Sequence, residues 1–160
     1  MKIVRQLCFM LSRFFLSAWV GAAAIFVVTS IVEQTSEEFD SLVRDQLALM
    51  RFPYYYLFGF ILLGGSLGTL LLTDRSKFWI RWWISVGLLV VTLVIVLIDY
   101  FAIYMPLQNM ISPPGTARTP EFESYHNYSK YINELHVTLA LITALILCSV
   151  GMGQGKASKK

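Results

Sequence analysis

Five side chains in this 160-residue sequence have the types and spacing for chemistry in an apolar environment: Asp99, His126, Ser129, Asn133 and His136. The last four follow one another at intervals of three, four and three residues. On a helix turning about 100° per residue they share an arc of roughly 80°. Ala140 and Ala144 continue that face. Such a face can hydrogen-bond to neighbouring helices, or it can hold a ligand, ion or proton, because ionisable groups at membrane depth mark ion and proton pathways. Asp99 and His136 are expected at nearly equal height on two antiparallel crossing helices. A carboxylate beside an imidazole makes a proton or cation site, since histidine titrates near neutral pH and the acid stabilises its charged form. The expectation is that the two touch; the alternative is that both are hydrated at the interface.

Other chemistries fit poorly. Gly64-Gly65-Ser66-Leu67-Gly68 has the letters of a nucleophile elbow, but that motif needs a strand and a strained turn, and here it lies inside an uncharged apolar run. The two histidines are ten residues apart, about 15 Å along a helix, too far to share a metal ion. Haem ligation would need a second ligand from another copy. Cys8 and Cys148 cannot form a disulfide scaffold. Neither enzymatic activity nor a metal or cofactor is expected.

These side chains must be held by elements suited to lipid. The chain is 56% hydrophobic and 14% charged, against about 25% charged in a soluble domain. That excludes a water-soluble globule, a disordered chain, and a nucleic-acid-binding module with its basic stripe. Crossing about 30 Å of hydrocarbon takes roughly 17 to 25 apolar residues. Four runs qualify, at about 14–32, 52–73, 82–105 and 135–152, free of acidic and basic side chains apart from Asp99 and His136. The first follows Lys2, Arg5 and Arg13 and contains Ala22, Ala23 and Ala24, yet its apolar stretch continues through Val28. It therefore reads as an uncleaved span and not as a signal peptide.

Lys2, Arg5, Arg13, Arg75, Lys77, Arg81, Lys156, Lys159 and Lys160 fall on one side of this map, and Arg44, Arg51, Arg118 and Lys130 on the other. The positive-inside rule makes both termini cytoplasmic. Trp79, Trp82 and Trp83 at the inner face, with Tyr54, Tyr55 and Tyr56 at the outer, fit interfacial aromatic belts. Thr35 and Glu38 read as a capping box that opens a short amphipathic helix at about 36–51, with Phe39, Leu42, Val43, Leu47 and Met50 as its apolar face. Pro53 then starts the second span. Residues 106–134 form an outer extension. Its only strong breaker is Ser112-Pro113-Pro114-Gly115-Thr116, so the third helix can continue, bent at Pro106, toward Met110 and the fourth can begin near Glu121. Ser17 and Gly21, Gly64 and Gly68, and Ala140 and Ala144 have the spacing of small residues that let helices approach closely. They read as packing within the chain, with a homodimer seam as the alternative.

Several of these residues resemble the transmembrane protein 205-like family, small four-helix membrane proteins. The resemblance runs through Trp19-Val20-Gly21, the segment Leu49-Met50-Arg51-Phe52-Pro53-Tyr54-Tyr55-Tyr56, and Pro106. Its strongest part opens the fourth helix, where Phe122, Tyr125, His126, Ser129 and Asn133 follow the family pattern. Where relatives often carry basic residues after the third helix, this chain has Leu107, Gln108 and Asn109. The resemblance implies the topology and marks the fourth-helix face; it implies no reaction.

The sequence thus reads as an all-α polytopic protein, a bundle of four transmembrane helices plus a short amphipathic outer helix, in the cell membrane. Its leading function is permeation or sensing of a small solute or cation through Asp99, His126, Ser129, Asn133 and His136. A scaffold or accessory subunit of a membrane complex is the alternative, and an intramembrane haem protein the third reading. The partners expected are the lipid bilayer and a second copy or membrane-complex subunit, with no nucleic acid.

Overall fold

The structure, a computed structural model, describes residues 2–74, 76 and 78–150. Arg75, Lys77, Lys156, Lys159 and Lys160 of the charge count, and Met152 at the end of the fourth expected span, lie outside the described residues. The helices are α1 (Lys2–Thr35), α2 (Ser41–Leu71), α3 (Trp79–Ile98), α4 (Met105–Met110) and α5 (Pro120–Cys148), with a π-helical turn at Asp99–Tyr104 joining α3 to α4. Four stretches are long and apolar enough to cross a membrane: Lys2–Thr35, Ser41–Leu71, Trp79–Met110 and Pro120–Cys148. The chain is a four-helix membrane bundle in which α1 packs on α2 and α5, and α3 on α2 and α5.

Side-chain contacts define the two ends of the bundle. At one end Arg13 of α1 donates to the last carbonyls of α5, reaching Leu147 at 2.9 Å, Cys148 at 2.7 Å and Val150 at 3.1 Å. Arg81 of α3 donates to the Ser149 carbonyl at 3.2 Å, and Arg5 lies 3.7 Å from Asp74. Terminal helix carbonyls have no partner within their own helix, so Arg13 and Arg81 both satisfy and electrostatically complement the α5 end. Arg51 pairs with Glu33 and Arg118 with Asp45 at the opposite end, which carries the 36–40 and 111–119 connections. We call these the terminal end and the loop end.

The core of the terminal half is mainly apolar, with Leu16, Leu63, Leu70, Leu89 and Leu147 wholly buried beside Ser12, Ser66, Ser85, Thr92 and Thr143. Polar contacts join its helices at two places. Ser12 and Ser66 each donate to the other's backbone carbonyl at 3.0 Å, a contact worth about 1 kcal/mol between helices in lipid. Trp82 is buried and its indole N–H caps the Leu70 carbonyl at 3.0 Å, whereas Trp79 and Trp83 stay about half exposed.

Three local expectations change. Thr35 is the last residue of α1, its hydroxyl bonded back to the Ile31 and Val32 carbonyls, and Asp40 caps the next helix by accepting from the Val43 N–H at 2.8 Å. Pro53 starts nothing: it lies inside α2, so the amphipathic segment and the second span are one 31-residue helix. The missing N–H costs an isolated helix about 3 kcal/mol. The buried stripe of α2 nonetheless runs in register through it, over Asp45, Phe52, Tyr56, Gly59, Leu63, Ser66 and Leu70, while Pro53 itself faces outward. The buried face of the first turns is consequently not the one expected from Leu42 and Met50, which are exposed, but the one carrying Asp45, Ala48 and Leu49.

The third helix continues past Ile98 as expected, with a widened turn. The Met105 N–H bonds the Tyr100 carbonyl, five residues back. Pro106 offers no N–H to the Ala102 carbonyl and its ring crowds that position; the wider turn accommodates both. Beyond it, Leu107, Ile111 and Phe122 form a second apolar cluster with Ala48 and Leu49.

Small residues pack differently from the spacing rule. A Cβ placed on Gly21, Gly64 or Gly68 meets nothing within 4 Å, and Ser17 is exposed, because these four positions face away from the neighbouring helices. Ala140 and Ala144 are buried. The close approach is at Gly59, where a Cβ would lie 2.9 Å from the Trp19 ring. Gly59→Ala should therefore cost about 1–3 kcal/mol through overpacking, read from reversible unfolding in mixed micelles, while Gly64→Ala and Gly68→Ala should stay within about 0.5 kcal/mol of the parent. Arg13→Gln should lose about 1.5 kcal/mol and accelerate amide exchange at Ser149 and Val150; unchanged exchange there would show that the α5 carbonyls do not depend on Arg13.

Candidate functional site

A polar and aromatic layer lies between the mainly apolar terminal half and the loop end. Trp19 of α1 is fully buried, 5.0 Å from the Tyr55 ring and 6.1 Å from the His136 imidazole, on which it stacks. Tyr55 stacks on Phe26 at 4.2 Å and donates its hydroxyl to the side-chain Oδ1 of Asn133 at 2.5 Å. Tyr56, next to it, donates to Asp99 Oδ2 at 2.7 Å. Tyr55 and Tyr56 are thus interior residues and not an interfacial belt; of the three tyrosines only Tyr54 is exposed. Tyr104 closes the layer on the loop side, 4.7 Å from Tyr56 and 5.8 Å from Phe52.

The π-helical turn spans Asp99 and Tyr104, both of which point inward. In α3 the buried positions Trp82, Ser85, Leu89, Thr92 and Val96 recur every three or four residues. Asp99 and Ile103 continue that series, and Tyr104 is buried beside Ile103. Leu107 and Ile111 follow on the inner face.

The five sequence-derived residues divide between two places. Asp99 and His136 are each 0% exposed and belong to the buried layer, with Asn133 tied to it through Tyr55. No hydrogen bond joins Asp99 to His136. No ion pair joins them, because the carboxylate takes the Tyr56 hydroxyl and the imidazole stacks on Trp19. Asp99 Oδ1, both His136 ring nitrogens, the Tyr104 hydroxyl and the Trp19 indole N–H are buried with no protein hydrogen-bond partner. Ser129 is buried one helical turn from Asn133. His126 sits apart, stacked on Phe122 at 5.8 Å and facing the loop-end cleft. It lies before the spanning part of α5, and burial pushes its imidazole below the ordinary histidine range, helped by the Lys130 and Arg118 charges.

The cleft opens among α1, α2, α4 and the start of α5. Its volume is about 70 Å³, and Ser30, Glu33, Arg44, Asp45, Arg51, Arg118 and His126 contribute its polar wall. Phe52 and Tyr104 line it as well, so the residues that bound the buried layer also face the cleft. Asp45 is almost completely buried, held by Arg118 at 3.1 Å and by the Gly115 N–H at 3.0 Å. Gly115 has φ +85°, a conformation that favours glycine.

Sequence reasoning missed Tyr55, Tyr56 and Trp19 as partners of the polar face, and it missed the cleft. The YYY run and the lone tryptophan read equally well as interfacial residues, and the arginines come from distant segments. Among the described residues no group of three or more His, Cys, Asp or Glu side chains is placed to hold a metal ion. Comparison of the chain with family models, with curated proteins and with solved structures gives no match.

Proposed function

We propose that this multi-pass membrane protein takes up a proton or small cation from its loop end into the Asp99–His136 layer and responds to it as a non-enzymatic sensor. The observation that carries the reading is the set of unpartnered buried atoms, Asp99 Oδ1 with His136 Nδ1 and Nε2. Buried polar groups are normally satisfied, and ionisable groups inside a membrane bundle are costly unless they serve a function. A cation entering the layer has a carboxylate oxygen and imidazole nitrogens to receive it. The other titratable groups around them are Tyr55, Tyr56, Tyr100 and Tyr104.

Access comes from the cleft, through Tyr104. Beyond the layer, toward the terminal end, the core is closed by wholly buried side chains including Leu63 and Leu89, which favours a bound, sensed ion over an open pore. The distribution of Lys and Arg in the sequence supports a cell-membrane protein with its loop end outside and its termini in the cytoplasm. Kinship with the transmembrane protein 205-like family belongs to the same proposal and rests on the α5 residues already named. The competing reading, a scaffold for a membrane-complex partner, draws on Tyr128 and Tyr131, which are 62% and 70% exposed on the projecting part of α5.

Nitrogen-15 spectra of labelled histidine, recorded on a His126→Gln background in lipid nanodiscs, test the proposal. The His136 nitrogens should shift on acidification or on addition of one of a panel of monovalent and divalent cations. Asp99→Asn should move the midpoint of that response at least about tenfold in proton or cation concentration. Signals that stay fixed under every condition, together with absent flux in liposomes, would leave the scaffold as the better reading.

A further inference from the structure

We propose that the loop-end cleft is a binding site for a phosphate-type oxyanion, seated against Arg44 and Arg51. The inference is independent of cation uptake by the buried layer and rests on charge balance. Three arginines line the cleft with two acids. Glu33 is taken by Arg51, and Asp45 by Arg118 and the Gly115 N–H. Arg44 forms no ion pair among the described residues, its guanidinium donating to the Ser36 carbonyl at 2.8 Å. One positive charge is therefore left in a partly buried wall, where weak solvent screening makes it a stronger attractor than at an open surface.

The donors match the charge. Arg44 Nε and Arg51 Nε are both buried without an acceptor, while Arg44 is engaged through one terminal nitrogen and Arg51 through both. Those engagements hold the two guanidinium groups in place, and the Arg51 group also lies 5.1 Å from the Phe26 ring. Guanidinium groups fixed in this way suit oxyanions, whose oxygens accept several charge-assisted N–H bonds at once. Size narrows the class further. A cavity of about 70 Å³ holds roughly five water-sized centres, enough for a phosphate or a lipid phosphate headgroup and far below the 300–1,000 Å³ of a site for drug-sized molecules. The cleft adjoins Phe52 and Tyr104, at the edge of the spanning helices, so headgroup and free anion can both reach it.

The test is calorimetric titration of inorganic phosphate into the full chain in phosphatidylcholine nanodiscs, with native mass spectrometry of the same chain after exposure to phosphatidic acid as the second arm. Saturable phosphate binding identifies a free oxyanion as the ligand, while retention of phosphatidic acid without phosphate binding identifies the headgroup; either supports the site. Arg44→Gln should weaken the observed binding at least tenfold, with Lys130→Gln, outside the cleft, as the unchanged control. Gln108→Glu gives a second probe that removes no hydrogen bond seen in the structure: Gln108 lines the cleft, and an added carboxylate there should repel the anion to a similar degree. Binding in neither arm, or binding indifferent to both Arg44→Gln and Gln108→Glu, would overturn the proposal.

Discussion

Trp19 can stand where α1, α2 and α5 meet because residue 59 has no side chain. Its ring occupies the space a Cβ on Gly59 would need, and from there it touches Tyr55 and His136 on the two neighbouring helices. In lipid no hydrophobic drive pulls helices together, so shape and hydrogen bonding must fix their separation and rotation. The Trp19–Gly59 contact sets both for α1 against α2. With that rotation fixed, Tyr55 is directed to Asn133 and Tyr56 to Asp99. The polar layer therefore inherits its geometry from an apolar contact.

Two chemically different regions result, divided by a thin aromatic wall. The buried layer presents acceptors in an interior without nearby cations, whereas the cleft is rich in guanidinium groups whose acids are already engaged. Phe52 and Tyr104 face the cleft and pack against the layer. Arginines at the mouth raise the local potential for anything positive that passes them. If the two proposed sites are both used, an anion seated there would lower that barrier and so couple occupancy of the outer site to entry into the inner one.

Much of the architecture was legible because lipid imposes a simple rule: charge-free runs of sufficient length become spanning helices. The polar face of α5 was legible for a similar reason, since helical periodicity alone brings Ser129, Asn133 and His136 to one side. What escaped depends on partners remote in the chain. Asp45 reads as solvent-exposed on its own helix and is buried only because Gly115 and Arg118 supply donors from 70 and 73 residues away. Asp99 finds Tyr56 and not His136, a choice governed by the rotation of α2. Continuity of α2 through Pro53 was present in the spacing of Asp45, Phe52, Tyr56 and Gly59, but a proline is an equally good start signal, and only packing on both sides of it decides. The π-helical turn has no periodic signature; it accommodates Pro106.

The arginine clamp at the terminal end constrains the order in which the molecule can be completed. Arg13 belongs to a helix that leaves the ribosome well before α5, and the carbonyl it grips at Leu147 lies 134 residues later. Throughout most of synthesis that guanidinium has no access to its final acceptors and must be accommodated by water or lipid headgroups at the bilayer edge. Closure of the ring of helices is consequently a late, post-insertion event, and truncating the nascent chain before residue 147 leaves α1 unlatched.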